Sequence, residues 1–98
     1  MIAELRCKVY PGMFSTEFAV VIEAFDGQNF SLFAPRDTGR VDREPTHDEP
    51  VDGWMKVQLL RRAGNVIAVW LPDTTMEGCQ YFSVRPDLLA EVPESVMV

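Results

Sequence analysis

Between Phe14 and Phe25 the side chains alternate, with Phe18, Val20, Ile22 and Ala24 at every second position and Glu17, Ala19, Val21 and Glu23 between them. Successive side chains of a strand point to opposite faces, so a period of two predicts a strand, where a helix would repeat every 3.6 residues. Asp26-Gly27 follows. This pair is a strong hairpin signal, because Gly accepts the positive φ that tight reversals require and Asp tolerates it. The chain should return over Asn29–Ala34 with Phe30, Leu32 and Ala34 on one face, ended by Pro35, which cannot donate to a sheet ladder. A lone hairpin is marginal in water, so the rest of the chain must supply further strands.

It does so on both sides. Leu5, Cys7 and Val9 alternate with Arg6 and Lys8, predicting a first strand over Leu5–Tyr10. Trp54–Arg62 and Val66–Leu71 flank Ala63-Gly64-Asn65 and read as a second hairpin. A two-residue turn there would set Leu59 opposite Trp70, and a three-residue loop would set it opposite Val69. One residue of slip exchanges the faces, so the choice matters. The three-residue loop is expected, because it gathers Met55, Val57, Leu59, Ile67, Val69 and Leu71 on one aliphatic face. Trp54, Lys56, Gln58, Leu60 and Arg62 then lie on the other, beside Val66, Ala68 and Trp70.

Pro72–Thr75 reads as a turn, followed by a last strand over Gly78–Val84 containing Cys79, Tyr81 and Phe82. Thr74 and Glu77 have the spacing of a helix capping box, but Gly78 follows in place of an apolar helical run. Pro86–Val92 carries Pro at a first helical position and Pro93 as a stop, predicting a short helix or 3₁₀ turn before a loose tail at Glu94–Val98.

Ninety-eight residues suit one domain with one core. Six short strands with almost no helix predict a mainly all-β fold, a small antiparallel barrel or sandwich. In strand count and turn placement over Leu5–Val84 the layout is similar to SH3-like and OB-like small barrels, a likeness that no family motif carries and that implies little about function.

Pro35–Gly53 departs from this pattern. Three prolines, two glycines and six acids against three arginines leave Val41 and Val51 as its aliphatics. Long loops without secondary structure are uncommon in small domains and are usually functional or disordered. A polar loop outside the core is expected, and its Asp42, Glu44, His47, Asp48 and Glu49 are candidate binding residues.

Composition narrows the function classes. At 47% hydrophobic and 24% charged the chain lies away from the signature of disorder. Its longest apolar run, Val66–Leu71, is six residues, where a spanning helix needs about 20. With no secretory pattern at the N-terminus, a cytoplasmic protein off the membrane is expected. Cys7 and Cys79 are too few for a disulfide scaffold or thiolate metal site and read as small buried hydrophobes.

The chemistry-bearing residues are sparse. His47 is the one histidine, and the acids around it do not follow the calcium-loop spacing, so no metal or other cofactor is expected. A nucleophile and its base must be held within about 3 Å, which a lone loop histidine does not favour, and no catalytic motif is present. The expected function is therefore a non-catalytic protein-interaction module, with a protein partner or self-association, acting through the acidic loop, a sheet edge or a face carrying Trp54, Lys56, Arg62 and Trp70. Aromatic rings flanked by cations also suit single-stranded nucleic acid, the second reading, though a net charge of −6 disfavours it.

Overall fold

The computed structural model describes residues 2–91. Eight strands follow in chain order: β1 (Ile2–Pro11), β2 (Glu17–Glu23), β3 (Asn29–Pro35), β4 (Gly39–Val41), β5 (Val51–Ala63), β6 (Val66–Trp70), β7 (Tyr81–Val84) and β8 (Leu89–Glu91). Among the described residues the helical content is two 3₁₀ turns, Arg36–Thr38 and Pro86–Leu88. Six strands pair antiparallel in the order β3-β2-β1-β5-β6-β7 and curl into a half-barrel, with β4 added to β5 and β8 to β1. The all-β expectation holds. The two additional strands are three residues each, too short to show a period.

Alternation set the core. Leu5, Cys7 and Val9 of β1, Phe18, Val20 and Ile22 of β2, and Leu32 and Ala34 of β3 are all buried. The reversal between β2 and β3 is built differently from a two-residue Asp-Gly turn. Gly27 N–H donates to Ala24 O at 2.9 Å and Ala24 N–H to Gln28 O at 2.9 Å, enclosing Phe25, Asp26 and Gly27. Only Gly27 has positive φ, at 89°. Asp26 contributes through its side chain, which accepts the Gln28 N–H at 3.1 Å.

The β5–β6 hairpin corrects the expected loop while keeping its outcome. Ala63 pairs with Val66 around a two-residue Gly64-Asn65 turn, not a three-residue loop. Leu60 is then an extra residue, a bulge between Leu59 and Arg61, and beyond it Leu59 faces Val69 as expected. The bulge lies where β5 ceases to pair with β1, at Gln58↔Ile2, and continues along β6. Bulges bend a strand and sharpen its twist, which is what a sheet curling at this point needs. The face of Arg62 is a second correction: it stands opposite Ile67, a core residue, and so leaves the parity of the Trp-bearing face.

Pro35–Gly53 is not a structureless loop outside the core. After the first 3₁₀ turn, β4 pairs Gly39↔Met55, Arg40↔Trp54 and Val41↔Gly53, and β5 begins at Val51. Pro45 and Val51 are buried and Val41 packs on the core. Gly53 permits this docking. A Cβ there would meet Arg40 O at 2.8 Å and the Val41 and Val9 side chains at 2.8 and 2.9 Å. Sequence reading missed the anchor because its residues are one proline, two valines and a glycine, spread through a polar run.

Two further expectations change. Cys79 is exposed and precedes β7, whose strand starts at Tyr81 and not at Gly78. Leu71–Gln80 is instead a compact loop around buried Thr75, which donates its N–H to Cys79 O at 2.7 Å and accepts the Cys79 N–H on Oγ1 at 3.1 Å. The expected 3₁₀ turn is present at Pro86–Leu88, but the chain then extends as β8 along β1. The expected loose tail at 94–98 lies outside the described residues.

The half-barrel leaves a seam between its end strands, β3 and β7. Across it run individual contacts: Phe25 N–H to Ser83 O at 2.8 Å, Met76 N–H to Ser31 O at 2.8 Å, and the Phe30 and Phe82 rings edge to face at 4.6 Å.

Candidate functional site

Directly opposed residues of an antiparallel pair point to the same side of the sheet, so the register specifies the outer face. On β1 and β5 it reads Ile2↔Gln58, Glu4↔Lys56, Arg6↔Trp54 and Lys8↔Asp52. On β5, β6 and β7 it continues as Gln58↔Trp70↔Tyr81. Trp54, Lys56 and Trp70 therefore share a face, as expected.

This face has two halves of different character. One is an ion-paired surface. Arg40 of β4 donates from Nε and Nη2 to the Glu4 carboxylate at 3.1 and 2.9 Å, and its guanidinium lies 5.7 Å from the centre of the Trp54 ring. A cation over an indole face is held by the ring's quadrupole, and the Glu4 side chain, only 16% exposed, fixes the far end. Hydrogen bonding to Glu4 holds the Arg40 pKa above its ordinary value. Lys8 and Arg6 converge on Asp52 at 3.0 and 3.7 Å, and the hydrogen bond from Lys8 is the main reason the Asp52 carboxyl titrates below its ordinary value. The cations of this half are thus already occupied by carboxylates.

The other half is apolar and open. Trp70 is 45% exposed and Tyr81, directly opposite on β7, is 54% exposed, with Ile2 at the end of the same row. Lys56 is exposed beside them and has no ion-pair partner among the described residues. A shallow groove of about 200 Å³ between Ile2, Lys56, Trp70 and Pro72 continues the patch. Sequence reading singled out Trp70 but missed Tyr81. Its signal was available in the alternation of Tyr81 and Ser83 against Phe82 and Val84.

The acidic loop residues do not converge on this face. Glu44 is doubly bonded by Arg36, with Nη1 donating to Oε2 at 2.9 Å, and the Arg36 guanidinium stacks 4.4 Å from the centre of the Phe18 ring. That bond lowers the Glu44 pKa. Thr46 and Glu49 exchange main-chain hydrogen bonds at 3.1 and 3.2 Å, which places His47 and Asp48 at the exposed tip of a tight turn, and Glu49 meets Arg43 at 3.5 Å. Asp42 is exposed at the end of β4. Among the described residues no group of three or more His, Cys, Asp or Glu side chains is placed to hold a metal ion.

Among the described residues no histidine or other base is paired with either thiol. Burial first, and then the Asp52 carboxylate, push the Cys7 thiol up to about 12, which keeps it protonated. No helix among the described residues is long and apolar enough to cross a membrane. Comparison with known protein families, curated proteins and solved structures found no match for this chain.

Proposed function

We propose that this chain is a non-catalytic protein-interaction module whose contact surface is the outer face of β6 and β7, centred on Trp70 and Tyr81 with Lys56 at its margin. The observation that carries this reading is the paired exposure of two large aromatics on neighbouring strands. Tyr and Trp are the residues most enriched at binding hot spots, because they offer large area at low conformational cost. The two unpaired thiols support a reducing, cytoplasmic setting. The long β5 shared between β1 and β6, and the 3₁₀ turn that returns β8 to β1, support an SH3-like small-barrel layout.

The test is affinity capture with the full chain and with a Trp70→Ser/Tyr81→Ser variant, followed by direct binding between purified components. A partner bound by the wild type at least tenfold more tightly than by the folded double variant supports the reading. A partner that binds both equally removes this face from it. Nucleic-acid binding is the second reading, with Arg6, Lys8, Lys56, Arg62 and the tryptophans as its contacts. It is weakened by the engagement of Arg6 and Lys8 with Asp52 and of Arg40 with Glu4. Salt-sensitive binding of labelled single strands at low ionic strength would restore it.

A further inference from the structure

We infer that the seam of the half-barrel takes a short extended segment of a partner protein, paired by its main chain to Tyr81 and carrying a large apolar side chain beside a lysine or arginine. The inference rests on the protein-interaction reading and names the chemistry of the partner.

Three observations converge on the seam. The first is an unoccupied strand edge. Leu71 N–H donates to Gln80 O at 2.9 Å, which makes Leu71 and Gln80 a hydrogen-bonded pair. Bonded and non-bonded pairs alternate along an antiparallel ladder, so Phe82 and Val84 bond to β6 while Tyr81 and Ser83 direct their main-chain groups away from it. Ser83 O is used by Phe25 N–H. Tyr81 N–H and C=O have no partner among the described residues, and β7 is the last strand of the sheet. An exposed edge of this kind is a template for another strand.

The second is a receptacle for a side chain. Phe25, Phe30, Tyr81 and Phe82 line a groove of about 400 Å³ at the seam, with Asp26 and Ser83 on its margin. Side chains of an added strand alternate, so a segment paired at Tyr81 points one residue into this groove and its neighbour outward.

The third is charge. Asp26 lies at the groove, and Glu77 reaches the adjacent β3 edge by accepting the Ser31 N–H at 3.3 Å. Neither carboxylate has a cationic partner among the described residues. Arg85, which follows β7 directly, is engaged by Glu23 at 3.1 Å and Asp87 at 3.4 Å. The seam thus presents an apolar groove with the Asp26 carboxylate in its lining and the Glu77 carboxylate at the neighbouring β3 edge, which selects a cationic residue next to the apolar anchor and disfavours an acidic segment, this chain's own net-negative surface included.

The experiment is selection of a random peptide library displayed on phage against the immobilised full chain. Recovered peptides are then synthesised and titrated into the ¹⁵N-labelled protein. We expect enrichment of a large apolar residue within two positions of Lys or Arg, and amide shifts at Asp26, Tyr81 and Ser83. N-methylation of the peptide amide that pairs with Tyr81 should weaken binding by about threefold to tenfold, the worth of one hydrogen bond. Asp26→Asn, which keeps the turn's acceptor oxygen, should weaken basic peptides and leave the fold intact.

Recovery of no peptide, binding indifferent to N-methylation at every position, or self-association that blocks the seam would overturn the inference. Peptides that shift Trp70 and Lys56 while leaving the seam unchanged would also overturn it, yet leave the interaction reading standing. Trp70 does not line the seam groove, so loss of the captured partner in a Trp70→Ser variant that still binds the selected peptides would separate the outer face from the seam.

Discussion

The guanidinium of Arg40 lies 5.7 Å from the centre of the Trp54 ring, and its bonds to Glu4 hold it there. The two tryptophans on one sheet face therefore have opposite roles: Trp54 is covered by its own chain, and Trp70 is left open.

Fluorescence separates them. Trp70→Phe should leave a blue-shifted emission poorly quenched by acrylamide, from Trp54. Trp54→Phe should leave a red-shifted, readily quenched emission, from Trp70. Equal quenching of both variants would contradict the division of the face.

The Leu60 bulge leads to a deletion asymmetry. Removing Leu60 rejoins Leu59↔Val69 and Arg61↔Ala68 as consecutive pairs without exchanging faces. Stability in urea should then change by no more than about 1 kcal/mol, the scale of a surface change. Removing Val57 instead brings Gln58 into a core position, and losing a buried side chain while burying an amide should cost about 3 kcal/mol or more. Similar losses for the two deletions would show that the bulge is not where the register is absorbed.

Gly53→Ala tests the anchoring of the polar segment. Its Cβ would fall within 3 Å of main chain and side chains from both neighbouring strands. Overpacking of this kind should destabilise by about 1–3 kcal/mol. Limited proteolysis should then shift to the 42–50 segment. Unchanged stability and cleavage would mean that β4 does not depend on that close approach.

Much of this fold was legible because its strands alternate cleanly. Phe18, Val20 and Ile22 declared their face, and Asp26-Gly27 its reversal. What escaped was carried by elements too short to have a period. β4 has three residues, so nothing in the sequence brought Arg40 to Trp54. The bulge escaped for another reason: a three-residue loop and a two-residue turn with one extra strand residue give the same Leu59↔Val69 pairing, and local pattern does not separate them. Of the expected site, Trp70 and Lys56 stayed together on the open half, Arg62 was turned away by the bulge, and Glu44 and Glu49 were drawn into local contacts with Arg36, Arg43 and the Thr46 turn. Tyr81 lay inside the expected last strand and its outward parity was legible, but no tight turn joins that strand to β6, so nothing in the sequence set it opposite Trp70.

The thiols should differ sharply in reactivity. Cys79 is exposed and Cys7 is buried with its thiol pushed up to about 12. An aromatic disulfide reagent at pH 8 should titrate one thiol in the native protein and two in urea. The folded value of Cys7 lies above the ordinary 9.0, so its contribution to stability is complete below that value and is lost as pH rises from 9.0 toward 12. Cys7→Ser should lessen that alkaline loss. Two native thiols reacting at equal rates would contradict the burial of Cys7.

Whether a partner meets the open half of the outer face is answered most directly by a photo-crosslinking amino acid placed in turn at Trp70, Tyr81, Trp54 and His47 of the full chain in its cellular setting. The same protein adduct should form from positions 70 and 81, with little from 54 or 47. Adducts confined to position 47, or nucleic acid joined at position 54, would contradict the assignment of the contact surface to β6 and β7.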